Sequence, residues 1–126
     1  MQKKVSTTKR GNYYKRKTKK WYESQGYTVQ LTEFMCATMI GKKCIYRKID
    51  IFGSDGIAMN GQDIIFWNSK HVGDDAEFAK ASYQNQVRKA KKEFELYPFP
   101  KHVHRAIIMW HMRKKQPEVI EVSSTQ

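Results

Sequence analysis

Apolar positions along the chain change their period from helical to alternating and back. Tyr14, Thr18, Trp21, Tyr22 and Gln25 recur at helical spacing and predict an amphipathic helix from about Asn12 to Gln25. Lys15, Arg16, Lys19, Lys20 and Glu23 fall mostly on its other faces, and Gly26 is placed to stop it as a C-cap. Residues 27–32 alternate as a strand does. Gly41-Lys42-Lys43 reads as a turn between extended pieces at 36–40 and 44–47. Residues 49–54 lead into a strand at 55–59, Asn60-Gly61 signals a hairpin, and 64–70 forms its second arm. A long helix follows, opened by Asp74 and Asp75 and ended near Tyr97 by Pro98 and Pro100. Phe78, Ala81, Val87, Ala90 and Phe94 are its inward candidates. Residues 104–112 read as a buried strand through Ile107, Ile108 and Trp110, and 118–122 as an edge strand. The order α-β-β-β-α-β predicts an α/β (α+β) fold with a mixed central sheet flanked by helices. Trp21, Trp67 and Trp110 sit inside apolar patterns and are expected in the core.

At 126 residues there is room for one domain, expected over 11–122, with a flexible basic arm at 1–10 and a frayed end at 123–126. The 40% hydrophobic and 13% aromatic content excludes a disordered chain. No apolar run approaches the roughly 20 residues that cross a bilayer, and the basic start leads into no apolar stretch. The expectation is an intracellular protein without a signal peptide or membrane partner. Cys36 and Cys44 make no disulfide framework, and with His102 and His104 they match no zinc-ligand spacing.

Charge adds a partner. The formal net charge is +12, and residues 1–20 hold nine Lys and Arg and no acid. Residues 1–49 hold thirteen basic and two acidic residues; the remainder is nearly balanced. Such a block favours a phosphate backbone, so nucleic acid is the expected partner. Lys9, Arg10, Lys15, Arg16, Lys19 and Lys20 are the candidate phosphate contacts, with Tyr13 to stack or bond a sugar-phosphate and Ser54 to bond either local backbone or a phosphate.

Candidate chemistry sits on the 55–70 hairpin. A two-residue Asn60-Gly61 loop would pair Met59 with Gln62 and Asp55 with Phe66. Asp55, Asn68 and Lys70 would then share one face, a register that a loop one residue longer would break. A carboxylate, an amide and an ammonium at the end of an otherwise apolar face are costly without a task. Asp50 either caps the Phe52-Gly53-Ser54 turn or reaches a metal. Glu33 either ends a strand in solvent or does the same.

Asp55, a hairpin, then Asn68-Ser69-Lys70 resembles the PD-(D/E)xK nuclease superfamily, and within it the small archaeal and phage Holliday-junction-resolvase-like endonucleases. Gly11-Asn12-Tyr13-Tyr14, Gly26-Tyr27-Thr28-Val29 and the stretch 49–58 fit the same frame, which covers most of 11–112. The resemblance implies a restriction-endonuclease-like αβββαβ core and a metal-dependent phosphodiester hydrolase acting on DNA. Mg²⁺, or Mn²⁺ in its place, would be held by Asp55, Asn68 and the Ser69 carbonyl, with Asp50 or Glu33 in support. Lys70 would orient water or stabilise charge on the phosphate. A symmetric homodimer would suit a junction, with residues 97–112 and the sheet edge as candidate dimer surfaces. Two positions depart from the family pattern. Asn68 stands where the family has Glu, Asp or sometimes Gln, and Lys15 stands where relatives often carry a Glu; both lower the expected affinity for a cation. A catalytically degenerate nucleic-acid-binding protein, or a nicking, homing or restriction-type nuclease, are the alternatives.

Overall fold

The structure, a computed structural model, describes residues 7–73, 76–112 and 114–122. The expected helix caps Asp74 and Asp75, most of the basic arm and the C-terminal end lie outside the described residues, as do the side chains of Lys9, Arg10, Cys36 and Phe78.

Helix α1 (Thr7–Glu23) opens five residues before the expected start, so residues 7–10 are helical rather than part of an arm. It stops where Gly26, at φ +92°, allows a left-handed turn. The Tyr27 N–H reaches back to the Tyr22 carbonyl at 3.2 Å and the Gly26 N–H to Glu23 at 3.1 Å. The Tyr22 and Tyr27 rings close the motif edge to face at 5.3 Å. Gln25, the last residue of the predicted stripe, is exposed beyond the helix.

Five strands make the main sheet, in the order β1 (Thr28–Leu31), β4 (Gly56–Met59), β5 (Ile64–Val72), β6 (His104–His111), β7 (Glu118–Glu121). All neighbours are antiparallel except β5 and β6, which are parallel and joined through helix α2 (Ala76–Glu95). This is the restriction-endonuclease-like order, and it agrees with the fold expected from sequence. Strands β2 (Phe34–Ile40) and β3 (Lys43–Ile49) form a separate two-stranded ribbon.

Each face of the sheet buries one helix. On the α1 face Tyr22, Val29, Ala58, Trp67, Ala106, Ile108 and Trp110 pack together, joined by Tyr14 and Trp21. The Trp110 indole N–H donates to the Thr18 hydroxyl at 2.8 Å, so Thr18, a polar residue of the stripe, is both buried and bonded. On the α2 face Ala90, Phe94, Ile107 and Val122 pack with Phe66 and Val87. Ala81, expected inward, is exposed. The Arg105 guanidinium, buried beneath the end of α2, donates to the Phe94 carbonyl at 3.1 Å and satisfies part of the helix C-terminus. Among the described residues no helix is long and apolar enough to cross a membrane.

The hairpin loop is longer than predicted. Met59 pairs with Ile64, which leaves residues 60–63 as the loop, organised by Asn60 Oδ1 accepting from the N–H groups of Gln62 (3.0 Å) and Asp63 (2.8 Å). A two-residue lengthening preserves the alternation, so Ile57, Ile64, Phe66, Asn68 and Lys70 still share a face.

Candidate active site

Asp55 does not follow that alternation. Gly56 pairs with Trp67, yet the Asp55 N–H also bonds the Trp67 carbonyl, at 2.9 Å. Two residues on one strand oppose one on the other, which is a bulge, and it re-aims the first side chain. Gly56 is what lets the strands close here, because a Cβ at that position would run into the Trp67 indole.

The bulge turns Asp55 toward α1. Its carboxylate accepts the Ser69 N–H at 2.9 Å and lines a cavity of about 240 Å³ with Asn12, Lys15, Arg16, Leu31 and Glu33. Lys15 and Glu33 form an ion pair at 2.6 Å on the cavity wall, both largely sheltered from water. Glu33 therefore lies at the site, not in solvent at a strand end. Asp55 is 7% exposed. Burial pushes its carboxyl up from 3.8 to about 6; the Ser69 N–H, Lys15 and Lys70 pull it down, and Glu33 adds to the rise.

Asn68 and Lys70 belong to the other face. Asn68 pairs with Ile107, a member of the α2-side cluster, and Lys70 with Met109, whereas Ser69 and His71 pair with Ile108 and Trp110 of the α1 side. Buried Asn68 spends its amide N–H on the Gly53 carbonyl at 2.5 Å. The expected sharing of one face by Asp55, Asn68 and Lys70 is thus corrected: the bulge separates the acid from the amide, although Lys70 keeps its electrostatic pull on Asp55.

Residues 50–54 hold the bulge in place. Asp50 Oδ1 accepts the Gly53 N–H at 3.2 Å, so Asp50 caps the turn. Phe52 and Gly53 both take positive φ, 52° and 75°. Ser54 is fully buried; its hydroxyl donates to the Ile51 carbonyl at 2.6 Å and meets the Thr32 hydroxyl at 3.0 Å. Of its two expected roles Ser54 takes the local one and presents nothing to a phosphate.

The remaining basic candidates divide. Asn12, Tyr13, Arg16, Lys17 and Lys20 line a second, open basin of about 630 Å³, which shares Asn12 and Arg16 with the Asp55 cavity. Tyr13, Arg16 and Lys20 are exposed there, and Lys19 is half-buried. Lys17 lies 4.5 Å over the Trp110 ring. His71 stacks on Tyr14 at 4.3 Å. Trp67 and Trp110 are core residues, as expected, and Trp21 packs against the core. Cys44 is exposed on the ribbon, and among the described residues no three His, Cys, Asp or Glu side chains gather as a metal cluster.

The donor set still fits one hard cation. Mg²⁺ is commonly held by one or two carboxylates and completed by water and phosphate oxygens. Asp55 and Glu33 supply two carboxylates on one cavity, and a buried acid with a raised pKa beside a second acid is the state that a cation relieves.

No protein-family model matches the chain, and no curated protein does. Among solved structures it is similar to Hjc, a Holliday junction resolvase from the archaeal hyperthermophile Archaeoglobus fulgidus, with TM-score 0.47 and 10% identity over 90% of this chain and 73% of that one. It is also similar to SSO0001, with TM-score 0.52 and 11% identity over 97% of this chain. The chain spans about half of SSO0001, 54% of its length. At such identities the likeness is one of fold.

Proposed function

We propose that this chain is a metal-assisted endonuclease that hydrolyses phosphodiester bonds in DNA, centred on Asp55 with Glu33 as the second carboxylate. One observation carries the reading: a bulge turns a buried, raised-pKa carboxylate into a cavity that already holds an acid and a lysine and that opens onto a basic basin. Asp55 and Glu33 would hold Mg²⁺ or Mn²⁺, which when bound polarises a phosphate oxygen and lowers the pKa of its water. Lys15, released from Glu33, would neutralise charge on the phosphate from the α1 side, and Lys70, on the opposite face, would act through its pull on the Asp55 carboxyl. Arg16 and Lys20 would hold neighbouring phosphates, with Tyr13 against a sugar or base. Asn68 acts as a positioning residue, fixing the 50–54 turn through Gly53.

A branched substrate such as a four-way junction, and a homodimer that cuts paired strands, fit the reading. Phe52, Ile64, Phe66, Tyr97 and Phe99 line an apolar basin of about 430 Å³, a surface suited to a second copy. We place this action inside the cell, with its DNA. A second reading, a binding protein that does not cut, is favoured by the Lys15–Glu33 ion pair, which already neutralises one of the two acids.

Labelled junction, duplex, flap and single-stranded DNA, incubated with the protein in Mg²⁺ and in Mn²⁺, separate the two. The nuclease reading expects metal-dependent cleavage that Asp55→Asn abolishes while affinity stays within about threefold. Tight binding with no product in either metal would establish the binding protein instead.

A further inference from the structure

The β2–β3 ribbon interrupts two strands that pair with each other. β1 and β4 are neighbours in the sheet, and the chain leaves between them for a separate two-stranded excursion. Its root is the candidate site itself: the Thr32 N–H donates to the Asp55 carbonyl at 3.0 Å, and the Thr32 hydroxyl to the Ser54 carbonyl at 2.7 Å. From that root the strands run antiparallel from Phe34↔Ile49 to Ile40↔Lys43.

Every residue from 37 to 47 is exposed, so both faces of the outer ribbon stand in solvent. Met39 (66% exposed) and Tyr46 (65%) lie on one face, and Ile40 and Ile45 on the other. A lone two-stranded ribbon is marginal in water, and its apolar residues stand exposed on both sides with no core to bury them. Its charge indicates what it meets. Lys42, Lys43, Arg47 and Lys48 are basic, and no acid occurs from Phe34 to Ile49. Lys43 and Arg47 share the face of Ile45, spaced along β3.

We propose, resting on the nucleic-acid reading above, that this ribbon is a groove-gripping arm that enters the major groove of duplex DNA beside the bond held at Asp55. Seven residues per strand at about 3.3 Å each give a reach of about 23 Å. The major groove, about 12 Å wide, admits a two-stranded ribbon. Lys42, Lys43 and Arg47 contact the phosphates along the groove walls, and Met39 and Tyr46, on the face opposite Lys43 and Arg47, meet base edges. Because the arm is rooted at Asp55, it fixes how far from the gripped segment the scissile bond lies.

The test compares the full chain, the triple variant Lys42→Ala/Lys43→Ala/Arg47→Ala, and a charge-matched triple on α2, Lys89→Ala/Lys91→Ala/Lys92→Ala. Fluorescence anisotropy on a labelled 30-base-pair duplex is read across a salt series and paired with hydroxyl-radical footprints. The ribbon triple is expected to lose at least tenfold in affinity near 0.1 M salt. Its dependence of log K on log salt should flatten by about 0.9 per phosphate contact removed, and its footprint should shorten on one side. The α2 triple should stay within threefold with the full footprint. If the parent binds duplex and the two triples behave alike, or the ribbon triple matches the parent, the inference is overturned and the ribbon's apolar residues belong to a protein interface. If the parent binds no duplex at all, the nucleic-acid reading itself has failed and takes the arm with it.

Discussion

A carboxylate that is almost wholly buried and still within reach of two lysines is held at a cost to the fold. The unfolded chain titrates Asp55 near 3.8 and the folded chain near 6. Between those values the folded state binds more protons, so its stability falls as pH rises from about 4 to 6 and is level above. Asp55→Asn keeps an acceptor for the Ser69 N–H and removes the charge. It should be more stable than the parent at pH 7.5, by roughly 1–3 kcal/mol, and no more stable at pH 3.5. Urea unfolding at both pH values checks this; equal stability at pH 7.5 would show that the buried charge costs nothing. Gly56→Ala should destabilise by about 1–3 kcal/mol or more through overpacking against Trp67, read in the same assay. Asp55 was legible from its place before a hairpin. Its direction was not, because a bulge depends on Gly56 and on the Thr32 and Ser54 bonds, and alternation carries no trace of either. Glu33 was legible only as one of two acids in a basic half; its approach to Asp55 needs the β1–β4 pairing.

Elements read more plainly than the residues within them. The stripe Tyr14, Thr18, Trp21, Tyr22 gives the buried face of α1 because that face must cover the sheet, and Gly26 ends the helix for the backbone reason expected. The early start at Thr7 was hidden by the polar residues 7–10, which carry no period. Thr18, a polar member of that stripe, is buried and accepts the Trp110 indole N–H where the helix docks. Thr18→Val leaves the Trp110 indole N–H buried without an acceptor and should cost about 1–3 kcal/mol in chemical unfolding. Thr18→Ser, which keeps the oxygen, should recover most of that loss; equal losses from both variants would trace the effect to packing alone.

At the scale of the whole molecule, charge and apolar surface are segregated. The basic α1 basin opens beside the Asp55 cavity, and the aromatic basin around Phe52 and Phe99 is lined from the 52 turn, β5 and the 97–103 segment. Phe52 keeps a left-handed backbone that suits Asn better than an aromatic residue. If two copies pair through this face as proposed, Phe52→Asn should leave the monomer folded and weaken self-association at least tenfold in sedimentation equilibrium; an unchanged association would rule this face out as the dimer surface. A divalent cation held as proposed would sit on the α1 side of the sheet, against Asp55 and Glu33. Anomalous scattering from a crystal soaked in Mn²⁺ reads that directly. The expected result is a peak at bonding distance from the Asp55 and Glu33 carboxylates on the α1 side. A peak held by the Asn68 side chain on the α2 side, with Glu33 still paired to Lys15, would contradict it.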